Sequence, residues 1–134
     1  MELKKSYKGF VLFLIGFLAA LLLIAFLPQE NEALIGRLIC AEMTLGILLL
    51  AYIIYRTEYV YWYNGTEYEE AVAAGSERRK AFAWKHFRCF AIDAAVCMGY
   101  SLLAHLLRWP FWIDYIVHTV GLVVAAISTV KIKL

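Results

Sequence analysis

The 134-residue chain has only three cysteines, Cys40, Cys89 and Cys97, and no C-x-x-C spacing. An odd and scattered set of this kind excludes a disulfide scaffold, a zinc ribbon and a dithiol redox enzyme. Each cysteine reads instead as a small buried residue. Charge of one sign is also lacking: 13 Lys and Arg against 11 Asp and Glu leave a formal net charge of +2, too little for a broad nucleic-acid footprint. There is no H-E-x-x-H, no G-x-S-x-G and no glycine-rich loop that would cradle a phosphate. No cofactor or metal is therefore expected, and the sequence does not read as an enzyme. An internal repeat is missing too. The first apolar stretch carries no ionisable residue whereas the later ones do, which argues against a transporter built from two matching halves.

What the chain has in abundance is apolar surface. Hydrophobic residues make up 63% of it and the mean hydropathy is +0.69, well above the roughly 45 to 50% apolar share of soluble domains. About 20 residues cross the hydrocarbon core as a helix, and four stretches have that length: 9–27, 34–55, 86–107 and 110–131. The reading is an all-α integral membrane protein, residues 1–134 forming one four-helix transmembrane domain. The first stretch follows a basic start, as in a signal peptide. It outruns the roughly 7 to 15 residues of a signal core, and no small-residue cleavage site follows, so it is expected to be a retained span. The connections "PQENEA" and "RWP" are short, which predicts two antiparallel hairpins, with Pro110 able to open the fourth helix.

Basic residues accumulate on the cytoplasmic side of membrane proteins. Lys4, Lys5, Lys8, Arg56, Arg78, Arg79, Lys80, Lys85, Arg88, Lys131 and Lys133 all fall on one side of this arrangement, so both termini and the connection 56–85 are expected to be cytoplasmic. Aromatic residues mark the two borders, Trp109, Phe111 and Trp112 on one and Tyr55, Tyr59, Tyr61, Trp62, Tyr63 and Trp84 on the other. Compact loops favour a bacterial cytoplasmic membrane. Within the connection, Asn64-Gly65 signals a turn, and Thr66 with Glu69 fits a capping box for a short amphipathic helix to about Ala74. Gly75 then suits a helix end and Ser76 an N-cap for a helix running into the third span. Asn64-Gly65-Thr66 matches a glycosylation sequon, made irrelevant by a cytoplasmic position. Tyr61, Trp62, Tyr63, Glu69, Arg78 and Arg79 are candidate docking residues for a partner, or else simply lie on the headgroups.

The chemistry concentrates in "FWIDYIVHTVG". Asp114 and His118 are one turn apart on a single helix face. In hydrocarbon such groups persist when a partner, water or a function offsets their cost. At about 1.5 Å rise per residue, Arg37 and Asp114 lie roughly 5 to 6 Å inside the outer border and Glu42 and His118 near 12 Å. His105 and Arg108 belong to the border itself. Asp114 is expected to pair with Arg37 or Arg108 and His118 with Glu42, so that the second and fourth helices meet on a polar seam. Asp93 stands apart, near Cys97 and Tyr100. Ala91, Ala95 and Gly99 form a row of small residues, as do Gly16 and Ala20, which allows close helix approach. Asp114 and His118 with His105 or Glu42 offer mixed ligands to a zinc-like ion, but without a motif.

Two functional readings follow. In one, the protein is a small accessory or assembly subunit, with the lipid bilayer and a membrane-protein partner around it. In the other, it is a self-associated proton- or ion-coupled transporter or channel, using Glu42, Asp93, Asp114 and His118 as an intramembrane relay and Arg37, His105 and Arg108 as an outer vestibule. The second requires a homo-oligomer, because 134 residues are slight for a complete path.

Overall fold

The structure is a computed structural model that describes residues 3–63 and 65–134; the expected turn and sequon at Asn64 lie outside them. Four helices follow in order: α1 (Lys8–Ala25), α2 (Glu32–Thr57), α3 (Tyr68–Leu106) and α4 (Trp112–Val130). All four are long and apolar enough to cross a membrane.

The helix ends show why the boundaries fall where they do. The extended Pro28 separates α1 from a 3-10 turn at Gln29–Asn31. The Asn31 side chain then caps α2, accepting from the Leu34 N–H at 3.0 Å, one of the donors a helix start leaves without a partner. α2 stops at Glu58, which adopts the left-handed conformation at φ 61°. That conformation costs a non-glycine residue roughly 1 to 2 kcal/mol, so something must hold it there.

The capping box of α3 is formed by Glu67 and Glu70, one residue beyond the Thr66–Glu69 pair expected from sequence. Gly75 breaks α3 at φ 75° and ψ 166°, so a short amphipathic turn precedes the long segment from Ser76. The last spanning stretch starts later than expected: Pro110 stays in the turn, Phe111 is the N-cap and the helix begins at Trp112. Arg108 adopts the left-handed conformation at φ 56° to end α3, and the chain closes with Trp109 N–H donating to the Ala104 carbonyl at 2.8 Å, in the manner of helix C-terminal motifs.

Packing divides the bundle. α2, α3 and α4 each touch the other two, whereas α1 rests on α2. Small residues line the three-helix junction: Ala51, Ala94, Ala104 and Ala125 are all buried. The small row expected at Ala91, Ala95 and Gly99 faces outwards instead; a side chain at Gly99 would meet nothing within 4 Å. The buried stripe of α3 is shifted by a few residues, to Ala94, Cys97, Ser101 and Ala104. An apolar cluster of Leu3, Ile54, Val60, Tyr61, Ala71, Phe82 and Ala83 closes one end, with Ile132 and Leu134 packed against it.

No residue of α1 is buried, and Leu12 is 71% exposed. Its hold on α2 depends on Gly46, where an added Cβ would overlap the Phe17 ring. Overpacking of this kind costs about 1 to 3 kcal/mol. Gly46→Val is therefore expected to lift α1 and lower the melting temperature in detergent, while Gly16→Val, where nothing lies within 4 Å, leaves it unchanged. Equal melts for the two variants would rule out this packing.

Candidate functional site

The three-helix junction carries a polar column because each helix places polar residues at a spacing of three or four. α2 contributes Arg37, Cys40 and Thr44, α3 Asp93, Cys97 and Ser101, and α4 Asp114 and His118; all are buried. Asp114 is fully enclosed, and Arg37 Nε approaches its Oδ2 at 3.4 Å. Arg37 Nη2 also donates to the Trp109 carbonyl at 2.5 Å, tying α2 to the turn before α4.

Ser101 Oγ donates to Asp114 Oδ2 at 2.6 Å and lies 2.8 Å from His118 Nε2. Thr44 Oγ1 is 2.6 Å from His118 Nδ1. A hydroxyl has one hydrogen, and that of Ser101 is used on Asp114. In the tautomer with Nε2–H, a neutral His118 donates to Ser101 and accepts from Thr44 at Nδ1, and each of these hydrogens finds an acceptor. The result is a directed chain, Thr44 to His118 to Ser101 to Asp114, closed by Arg37.

This order matters for the chemistry. In nucleophilic catalysis the imidazole stands between hydroxyl and carboxylate, so that it can take the hydroxyl proton. Here Ser101 stands between His118 and Asp114 and is already a donor to the carboxylate. Thr44, on the other side of the ring, is 2% exposed. The arrangement holds helices together and can pass a proton along its length; it does not present a nucleophile.

Several expected placements change. Glu42 is not the partner of His118. It faces α1, where its Oε2 is enclosed without a hydrogen-bond partner and it lines a cavity of about 540 Å³ between α1 and α2. The physical reason is angular: Glu42 and Thr44 are two residues apart, about 200° around a helix of 3.6 residues per turn, so only one of them can face α4. His105 and Arg108 are exposed, and Arg37 rather than Arg108 reaches Asp114. Asp93 lies below the chain, with Cys97 Sγ donating to its Oδ1 at 3.3 Å and Oδ2 without a partner. Gly121 makes room for it, since an added Cβ there would overlap Asp93. Among the described residues, no three His, Cys, Asp or Glu side chains gather closely enough to hold a metal ion. Neither the cavity beside Glu42 nor a larger one of about 930 Å³ near Tyr63, His86 and Lys133 is lined by residues of the chain from Thr44 to Arg37.

The middle connection turns most of its expected docking residues inwards. Tyr61 is buried; its hydroxyl receives the Ser6 N–H at 2.8 Å and faces the Ser6 carbonyl at 2.9 Å. Trp62 Nε1 donates to the same carbonyl at 3.0 Å, and Tyr68 donates to that of Leu3 at 2.8 Å. Tyr63 stacks on His86 with ring centroids 4.3 Å apart. Arg79 is buried in a fork on Glu58, at 3.1 Å and 2.8 Å from Oε2, and also donates to the Ala71 carbonyl. Of the six candidates only Glu69 and Arg78 are exposed. Aromatic and basic residues suit an inner clasp as well as an outer surface, which is why composition did not separate the two.

Glu58 was not singled out by sequence reasoning and Ser76 was expected only as an N-cap, yet the two complete this clasp. Ser76 donates to Glu58 Oε1 at 2.8 Å and Lys80 Nζ lies 3.5 Å from it. Burial pushes the Glu58 carboxyl up, but the hydrogen bonds from Ser76 and Arg79 and the charges of Arg79 and Lys80 outweigh it and hold the group below its ordinary value. The ion pair is what retains Glu58 in its left-handed conformation.

No protein-family model matches the chain, and no curated protein or solved structure is similar to it.

Two measurements follow from this geometry. Removing one partner of a buried ion pair costs about 3 to 5 kcal/mol, because the other charge is left alone. Asp114→Leu is expected to lose that much stability in detergent unfolding, and Arg37→Met combined with Asp114→Leu to regain most of it; a double variant no better than the single would refute the pairing. At the clasp, a carboxyl whose pKa falls on folding stabilises above its unfolded value, about 4.3. That stability is lost as pH falls through the lower, folded value. Glu58→Gln should therefore be less stable than the native chain at pH 7, with the gap closing below about pH 4. A pH-independent gap would contradict the lowered pKa.

Proposed function

We propose that this chain is an integral membrane protein that acts as a small accessory or assembly subunit. In this reading its four helices form two antiparallel hairpins, both termini are cytoplasmic and the host membrane is a bacterial cytoplasmic membrane. The positive-inside distribution of Lys and Arg supports the orientation. The observation that carries the functional reading is a contrast within the bundle: the polar chain from Thr44 to Arg37 is enclosed and links α2, α3 and α4 to one another, whereas α1 buries no residue. An enclosed polar network that joins three helices fixes their register, and an apolar helix with a free face is the surface left for another membrane protein. The middle connection adds its exposed charges, Glu69 and Arg78, to the surface a partner would meet.

A second reading, a homo-oligomeric proton- or ion-coupled transporter or channel, draws on a different observation. The chain continues towards Asp93 and Cys97 on the same face of α3, and the outer oxygens Asp93 Oδ2 and Asp114 Oδ1 have no hydrogen-bond partner. Buried ionisable groups in series of this kind suit proton movement.

Native mass spectrometry of the protein extracted in nanodiscs from its source membrane separates the two. The accessory reading expects a heteromeric complex of fixed stoichiometry. Recovery only as a homo-oligomer would overturn it, and proton flux into proteoliposomes that is lost in His118→Asn would establish the second reading in its place.

A further inference from the structure

The cavity between α1 and α2 holds the least explained ionisable group of the bundle. Glu42 lies ten residues into α2, about 15 Å along the helix axis, which is near the midplane of a hydrocarbon core about 30 Å thick. Its Oε2 is enclosed and unpartnered. The cavity offers it nothing: Leu12, Phe17, Leu45 and Leu49 line the walls and no donor side chain is among them. From Gly9 to Ala25, α1 contains no polar side chain at all. A carboxylate held in hydrocarbon without a donor is costly; it either takes up a proton or finds a partner outside the chain.

The shape of the groove indicates what kind of partner. Gly9, Gly16 and Ala20 line its α1 side, and a side chain at Gly16 would meet nothing within 4 Å. From Gly9 to Ala20 the groove extends about 16 Å, roughly three helical turns. Small residues along such a length let a second backbone approach closely, the usual basis of helix association in lipid. A second copy of this chain does not supply a cation to meet the carboxylate. It has no basic side chain free at that depth: its Lys and Arg residues lie near the borders of the apolar stretches or in the connections, and Arg37 is already paired with Asp114.

We propose that the α1–α2 groove receives a transmembrane helix of a different protein, one that carries a basic side chain on an otherwise apolar face at the depth of Glu42. This rests on the accessory-subunit reading and gives its partner a chemistry. The carboxylate and the cation meet in low dielectric, and each offsets the other's cost of desolvation. The partner's apolar face covers the α1 residues that the bundle leaves open.

The test uses the full-length protein in phosphatidylcholine vesicles and two synthetic probes: a leucine-alanine transmembrane helix with one central lysine, and the same helix with leucine at that place. Association is read by energy transfer between labelled protein and labelled peptide. The lysine helix is expected to associate at least about tenfold more tightly than the leucine helix, tenfold being 1.4 kcal/mol. Glu42→Leu should abolish that preference, Glu42→Asp should retain part of it, and Gly16→Ile, by filling the groove, should weaken both helices. Because Glu42 has no internal partner, Glu42→Leu should melt no lower than the native chain, so that a loss of association reports the groove and not unfolding. A lysine preference that survives Glu42→Leu would overturn the proposal. So would Glu42-dependent binding of tetraphenylphosphonium that Gly16→Ile leaves intact, which would make the groove a site for a small lipophilic cation. Energy transfer between two labelled copies of the chain that the lysine helix displaces would instead assign the groove to self-association. Failure here is distinct from failure of the accessory reading: a heteromeric complex recovered equally with Glu42→Leu leaves that reading standing and removes only the groove.

Discussion

The Arg37–Asp114 contact is the constraint on which the rest of the bundle depends. Helices as apolar as these have many nearly equivalent ways of packing, because contact between hydrocarbon surfaces has little directionality. An enclosed carboxylate does not share that freedom. Asp114 has to meet Arg37 on α2 and Ser101 on α3 at once, which sets the rotation of three helices together. His118, one turn further along α4, then falls between Ser101 and Thr44 and repeats the same registration deeper in the bundle. Small residues at Ala94, Ala104 and Ala125 let the backbones come close enough for these short side chains to reach.

The far end of the bundle is fixed by a different device. There α2 has to stop and turn, and it does so through a non-glycine residue in a left-handed conformation. Glu58 tolerates this because its carboxylate is claimed by Arg79 and Ser76 from α3. The aromatic residues that follow hold the segment before α1 by its carbonyls. Two buried ion pairs, one at each end, thus bracket a core of otherwise small and apolar side chains. Buried pairs of this type contribute little net stability compared with well-packed apolar residues, and their role here is to choose one arrangement among many.

α1 escapes both devices. It is tethered at its start by the contacts of Tyr61 and Trp62 with Ser6, and along its length it has only apolar contact with α2. It brings no donor to Glu42, which leaves that carboxyl facing a groove. A bundle finished on three helices and unfinished on the fourth is the physical basis for reading the protein as part of a larger assembly.

Much of this was open to reading from the chain alone. Long apolar runs broken by short polar connections determined the number of helices, and Gly75 and Ser76 located the break in α3, because backbone preference and hydropathy act over neighbouring residues. The 3.6-residue period also placed Asp114 and His118 on one face. What the period within one helix does not contain is the rotation of that helix relative to another. Depth alone matched Glu42 to His118, while the true partner, Thr44, lies two residues further on and on the opposite side of α2. Angle therefore decided the pairing. The same holds for Tyr61 and Arg79, whose composition suited a surface until the position of Glu58 and Ser6 turned them inwards. Side-chain partners across helices are set by the joint packing of three bodies, and that information resides only in the tertiary structure.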